Sequence, residues 1–165
     1  EGPELAALRH LACGLGVENR VRFLGGVPHR QLAEIYTAAD VLVLASSREG
    51  WANVLLEAMA CGTPAIATKV WGAPEVIRGE AAGRLLDQAT PEGLADAVRL
   101  LLAAPPERTE TRRYAEDFGW DATSQGQLDV FAEILRKRGL RPTAAHAAAS
   151  GAVPQEWQPA RERAG

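Results

Sequence analysis

Two glutamates with seven residues between them, Glu49 and Glu57, are the residues in this chain whose type and spacing could do chemistry. They lie in the stretch from Ser46 to Pro64, between two apolar runs, Val41-Leu42-Val43-Leu44 and Ala65-Ile66-Ala67. Such a segment predicts a strand, a loop, a short helix and the next strand. It sets Glu49 at the carboxyl end of the first strand and Glu57 about one turn into the helix. In open α/β sheets that end is where ligands bind. Between the acids, Gly50 has no side chain, so a ligand can come close to the backbone there. The amides opening the helix point outward, and the helix dipole favours an anion beside them. A diphosphate is the natural candidate. The carboxylates would repel phosphates, so they have another use: they are acceptors suited to sugar hydroxyls. Amides for a diphosphate, Glu57 for a ribose diol and Glu49 for a second sugar together describe a nucleotide-sugar site.

The elements that must position these groups follow from patterning. Leu5, Leu8 and Leu11 recur at helical spacing up to Gly14 and Gly16, and Val21-Arg22-Phe23-Leu24 reads as a strand. Val27-Pro28-His29-Arg30 reads as a loop, and Leu32, Ile35, Tyr36 and Ala39 mark one face of a helix. After the strand at 41–44 come a helix over 53–61 stopped by Gly62-Thr63-Pro64, a strand at 65–68, a helical turn at 75–78 and a strand at 83–86. Helices are then predicted from Pro91 to Pro105-Pro106, over 107–117, and over 121–138. Continuous apolar strands alternating with amphipathic helices predict a parallel sheet covered on both faces. After Gly139 the chain is Ala-rich, with Pro142, Pro154 and Pro159, and residues 140–165 read as a disordered tail following a domain over 1–139.

Composition removes several function classes. The 165 residues carry a net charge of −3 and only 5% aromatics, with no basic stripe, so neither phosphate-backbone binding nor base stacking is expected. Cys13 and Cys61 sit far apart in apolar segments and read as reduced thiols. His10, His29 and His146 have no metal-ligand spacing. No apolar run reaches membrane-spanning length, and a cytoplasmic place, with peripheral contact at the inner membrane face, is the expectation. Single residues have plainer uses too: an isolated helix glutamate is usually solvated, Trp51 suits rim packing as well as sugar stacking, and Gly62 suits a helix end.

The string Glu49-Gly50-Trp51-Ala52-Asn53-Val54-Leu55-Leu56-Glu57, continuing to Pro64, resembles the E-x7-E signature of retaining glycosyltransferases of family 4, which have the GT-B fold. The resemblance extends over Gly2-Pro3, Phe23-Leu24-Gly25, Tyr36 to Asp40, Ser46-Ser47, Glu75-Val76-Ile77 and Phe118-Gly119-Trp120-Asp121. It implies an α/β, Rossmann-like parallel sheet with flanking helices, the C-terminal half of a GT-B fold, truncated at its N-terminal side. It further implies that Glu57 holds the donor ribose and that Glu49 acts catalytically at the transferred sugar. The backbone of Gly50, Trp51, Ala52, Asn53 and Val54 would meet sugar and diphosphate, and Val27 and Pro28 would border the base. Transfer would proceed with retention and without a metal or other cofactor. The acceptor, a glycan or lipid-linked molecule of polysaccharide biosynthesis, would be met by the absent half. Arg48 to Asn53 and Val70-Trp71-Gly72 look most like the teichuronic acid and capsule branch. If strands are missing between 21–24 and 41–44, the chain is expected to re-pair there or to be marginally stable. Two other readings compete: a sugar-nucleotide epimerase of the same architecture, which lacks this Glu-Gly-Trp string, and a non-catalytic nucleotide-sugar binding module, which would need no Glu49.

Overall fold

The computed structural model of the protein describes residues 2–139; the tail expected over 140–165 lies outside them. Three strands, β1 (Leu42–Leu44), β2 (Ala65–Thr68) and β3 (Gly83–Leu86), form a parallel sheet in the order β1-β2-β3. The registers pair Val43 with Ile66 and Ile66 with Arg84. Around the sheet run α1 (Leu5–Gly14), a 3-10 turn (Glu18–Arg20), α2 (His29–Ala38), α3 (Asn53–Ala60), the short α4 (Ala73–Val76), α5 (Pro91–Ala103) and α6 (Arg108–Glu116). The chain divides into two compact units, one ending at Phe118 and one beginning at Gly119. The helix α7 (Trp120–Lys137) belongs to the second and carries Leu128, Val130, Phe131, Ile134 and Leu135.

Burial explains the layering of the first unit. Successive side chains in a strand point to opposite faces, and β2 is buried along its whole length. Ala65 and Ala67 join Leu55 and Met59 of α3 and Val76 of α4 in one cluster. Ile66 turns the other way and packs with Leu86 and Leu101, backed by Leu94 and Val98 of α5. The sheet is therefore covered on both faces, as the apolar runs predict. Leu55, Met59, Ile66 and Val76 are fully buried, each contributing about 1.5–3 kcal/mol of transfer free energy. The α5 helix starts where Thr90 caps the Gly93 amide and Pro91 takes the first turn.

Small polar contacts lock the helices beside the sheet. The buried Thr63 hydroxyl donates to the Tyr36 carbonyl, and the buried Thr111 hydroxyl donates to that of Ala81. Arg108 reaches the Thr37 and Ala39 carbonyls at the end of α2. Gly62 ends α3 with φ of 78°, and an added Cβ would lie 3.0 Å from the Arg108 carbonyl oxygen. Helix termination and the close approach of α6 both require glycine there.

Two expectations are corrected. Residues 21–24 are not a strand. Val21 has extended dihedrals (φ −112°, ψ 128°), but strand identity comes from a neighbour's hydrogen bonds, and among the described residues none pairs with this segment. Val21, Phe23 and Leu24 are exposed, and among the described residues β1 pairs on one side only, with β2. The re-pairing considered for this edge is not what the chain does. His29 and Arg30, read as loop, are the first residues of α2, because Pro28 at the N-cap sets the chain direction one residue before the helix.

Candidate functional site

Glu49 to Ala52 follow the carboxyl end of β1, and the chain leaving β2 packs against them. Glu49 and Gly50 lie in the loop between β1 and α3, where Glu49 is half-buried and Gly50 exposed. The loop is held from two directions. The Thr68 hydroxyl, at the end of β2, donates to the Ser46 carbonyl. Gly72 lies against Gly50 so closely that a Cβ on it would come within 2.6 Å of the Gly50 carbonyl oxygen. Any side chain at Gly72 would push the β1–α3 loop outward. Trp71, just before it, has φ of 46° and is 73% exposed.

Trp51 takes the packing role at the rim. Its ring stands 6.4 Å from that of Phe118 at 52°, and Phe118 continues to Tyr114 at 5.5 Å. Arg78 covers the Phe118 ring at 5.6 Å, and the Tyr114 hydroxyl donates to the Val76 carbonyl. This aromatic stack ties α6 and α4 to the loop carrying Glu49. Trp51 remains 46% exposed.

The opening of α3 offers fewer amides than the sequence suggests. Ala52 at the N-cap is buried and has no side-chain acceptor. The Asn53 and Leu55 amides donate back to the Trp51 and Ala52 carbonyls. The Val54 amide has no backbone acceptor among the described residues. Of the run Gly50 to Val54, Asn53 therefore keeps only its exposed side chain for a ligand, because the tight turn closing the loop uses its N–H.

Glu57 is the most organised acid of the site. It lies four residues into α3 and faces α2, where the Tyr36 hydroxyl donates to its Oε2 at 3.1 Å. His29, seven residues before Tyr36 and on the same face of α2, brings Nε2 to 3.6 Å from Oε1. That separation is an ion-pair distance rather than a hydrogen bond. Tyr36 is 8% exposed, and burial first, then the hydrogen bond and charge of Glu57, raise its pKa above the ordinary phenol value. The phenol thus stays protonated and remains a donor. Val27 and Pro28 come immediately before His29, whose imidazole reaches toward Glu57.

Sequence reasoning placed Tyr36 on an apolar helix face and missed its hydroxyl. A tyrosine instead of leucine on a buried face needs a hydrogen-bond partner, and that was the available signal. Among the described residues no group of three His, Cys, Asp or Glu side chains could hold a metal ion, and no helix is long and apolar enough to cross a membrane.

Residues 1–118 match the family model described as "Glycosyl transferases group 1". The chain is 37% identical over 132 residues to the D-inositol 3-phosphate glycosyltransferase of Segniliparus rotundus, covering 78% of this chain and 29% of that protein. It is 38% identical over 133 residues to the enzyme of the same name from Streptomyces bingchenggensis, again covering 78% and 29%. Among solved structures it resembles the sucrose-phosphate synthase of Thermosynechococcus elongatus, with a TM-score of 0.69 and 31% identity over 82% of this chain and 35% of that one. The chain thus spans about a third of the length of the proteins it matches. The two curated relatives carry the name of an inositol-phosphate enzyme, which replaces the teichuronic acid likeness: the phrases at 48–53 and 70–72 are short, weaker evidence than identity over more than 130 residues.

Proposed function

The chain belongs to the group 1 glycosyl transferases, and we propose that it is the donor-binding part of a retaining enzyme of that family, which takes a sugar from a nucleoside diphosphate sugar. The observation that carries this reading is Glu57. It is a half-buried carboxylate on the helix that follows the exposed Gly50 loop, fixed by Tyr36. An acid held this way, with acceptor positions still unused, suits a ribose cis-diol. Val27 and Pro28 border the base next to His29. The Val54 amide and the α3 dipole favour the diphosphate, and Trp51 offers its exposed surface to the donor.

Glu49 lies on the other side of the diphosphate position and meets the transferred sugar. The acceptor attacks the face from which the nucleoside diphosphate leaves, and the leaving phosphate takes the acceptor's proton. Charge growing on that phosphate is stabilised by dipoles already aimed at it. No metal step enters the proposal. The named relatives transfer to D-inositol 3-phosphate or make sucrose phosphate, so a small phosphorylated acceptor joins the glycan or lipid-linked acceptors as a candidate. Recognition of the acceptor is assigned to the parts of such enzymes that this chain does not span.

Titration with UDP-, GDP- and ADP-glucose, followed by ligand-observed NMR to reach millimolar affinities, tests the reading. One of the three is expected to bind, and Glu57→Ala to weaken it by roughly 1.5–3 kcal/mol, the range for hydrogen bonds to a charged group. A chain that binds none of them, or a Glu57→Ala variant with unchanged affinity, overturns the donor site.

A further inference from the structure

We propose that Tyr36 is the positioning residue that gives Glu57 its selectivity for a ribose cis-diol over a deoxyribose. The proposal rests on the donor-site reading above and adds a second residue to it.

An ionised carboxylate has about four acceptor positions on its two oxygens. A carboxylate free to rotate about its last torsion presents them in many directions. Such terminal sp³–sp² torsions are broad, with no sharp rotamer to hold them. The Tyr36 hydroxyl at 3.1 Å from Oε2 takes one position and fixes the carboxylate plane. The remaining position on Oε2 and those on Oε1 then face in defined directions, enough for two adjacent hydroxyls.

The fold makes this hold stiff. Tyr36 is buried, and its own carbonyl accepts from the buried Thr63 just beyond α3. Arg108 clamps the end of α2 through the Thr37 and Ala39 carbonyls. The phenol is therefore anchored at its backbone by the same segment whose carboxylate it orients. With the pKa of Tyr36 raised by burial and by Glu57, the donor proton persists across the neutral range. His29 is on the same face but 84% exposed and at 3.6 Å, beyond hydrogen-bond range of Oε1, so it does not fix the plane.

Selectivity is the readout that separates positioning from scaffolding. A residue that only stabilises the fold changes all affinities alike. One that aims Glu57 changes the ratio between ribose and deoxyribose ligands. The full chain, Tyr36→Phe, Glu57→Ala and the double variant are each titrated with UDP, GDP and ADP and with the three 2′-deoxy counterparts, with thermal melts confirming the fold. Losing one hydrogen bond worth about 1.4 kcal/mol is tenfold in affinity. The native chain is expected to favour the ribonucleotide by roughly that factor, and Tyr36→Phe to cut the preference by about threefold to tenfold. In the Glu57→Ala background the added Tyr36→Phe change should leave the ratio where it was, because the two act as one unit. A folded Tyr36→Phe chain with the native ratio overturns the inference while Glu57→Ala still lowers it. A ratio unmoved by Glu57→Ala, or a native chain that binds none of the six, sinks the donor reading and the inference with it. Should Tyr36→Phe fail to fold, Glu57→Gln keeps an acceptor for the Tyr36 hydroxyl. It should then retain more of the ratio than Glu57→Ala, and equal loss in both counts against positioning.

Discussion

At the scale of single residues, the site is made by how few side chains are free to move. Glu57 is held by Tyr36 on another helix, since a carboxylate alone has no preferred plane. Trp71 shows the opposite economy. Its φ of 46° places a bulky residue in the left-handed region, while its ring is 73% exposed and little is gained by burial. That conformation costs about 1–2 kcal/mol for an ordinary L residue. Asparagine enters it more readily. Trp71→Asn is therefore expected to raise stability by about 0.5–1 kcal/mol, read as a higher midpoint in urea. A lower midpoint would show that the indole makes a stabilising contact that its exposure hides. Glu49 and Glu57 were legible as acids because their spacing sits across a strand end and a helix. The Tyr36 hydroxyl's partner was not, because it depends on which helix lies beside α3.

At the scale of elements, α6 acts as a brace. It closes over the end of α3 at Gly62, reaches α2 through Arg108, and holds the Ala81 carbonyl through the fully buried Thr111. Thr111→Val keeps the shape and removes the donor, leaving the carbonyl without that partner. The expected cost is about 1–3 kcal/mol, measured as a shift in denaturation midpoint with an unchanged slope. A cost near zero would mean that water replaces the hydroxyl. Helices α3 and α5 and strands β2 and β3 could be read from patterning because each buries a face of its own. The 21–24 segment could not. Its Val-Arg-Phe-Leu alternation fits a strand locally, but a strand's backbone donors and acceptors are satisfied only across a pair.

For the molecule as a whole, order is uneven. The core centres on β2, with Leu55 and Met59 on one face and Ile66 and Leu101 on the other. Farther out, α1 buries only Ala12 and leaves Leu8 and Leu11 exposed, as is Leu15 just after it. Hydrogen exchange should reflect this gradient. The amides of Ala65–Thr68 are expected to approach global protection, and those of 21–24 to open at a cost of about 0–1 kcal/mol. Slow exchange at 21–24 would show that a strand seats against it in solution.

The sequence by itself determined the α/β class, the places of most helices and all three strands, and the two acids between β1 and β2. Each of these follows from local periodicity or from a motif contained in a few turns of chain. Tertiary structure alone decided the order β1-β2-β3, the unpaired state of 21–24 and the spent amide of Asn53. It also decided the hold of Tyr36 on Glu57, 21 residues away along the chain. The physical reason is common to all four. Each is a hydrogen bond made or left unmade, and its partner is chosen by how the backbone closes and the elements pack rather than by the residue's own preference.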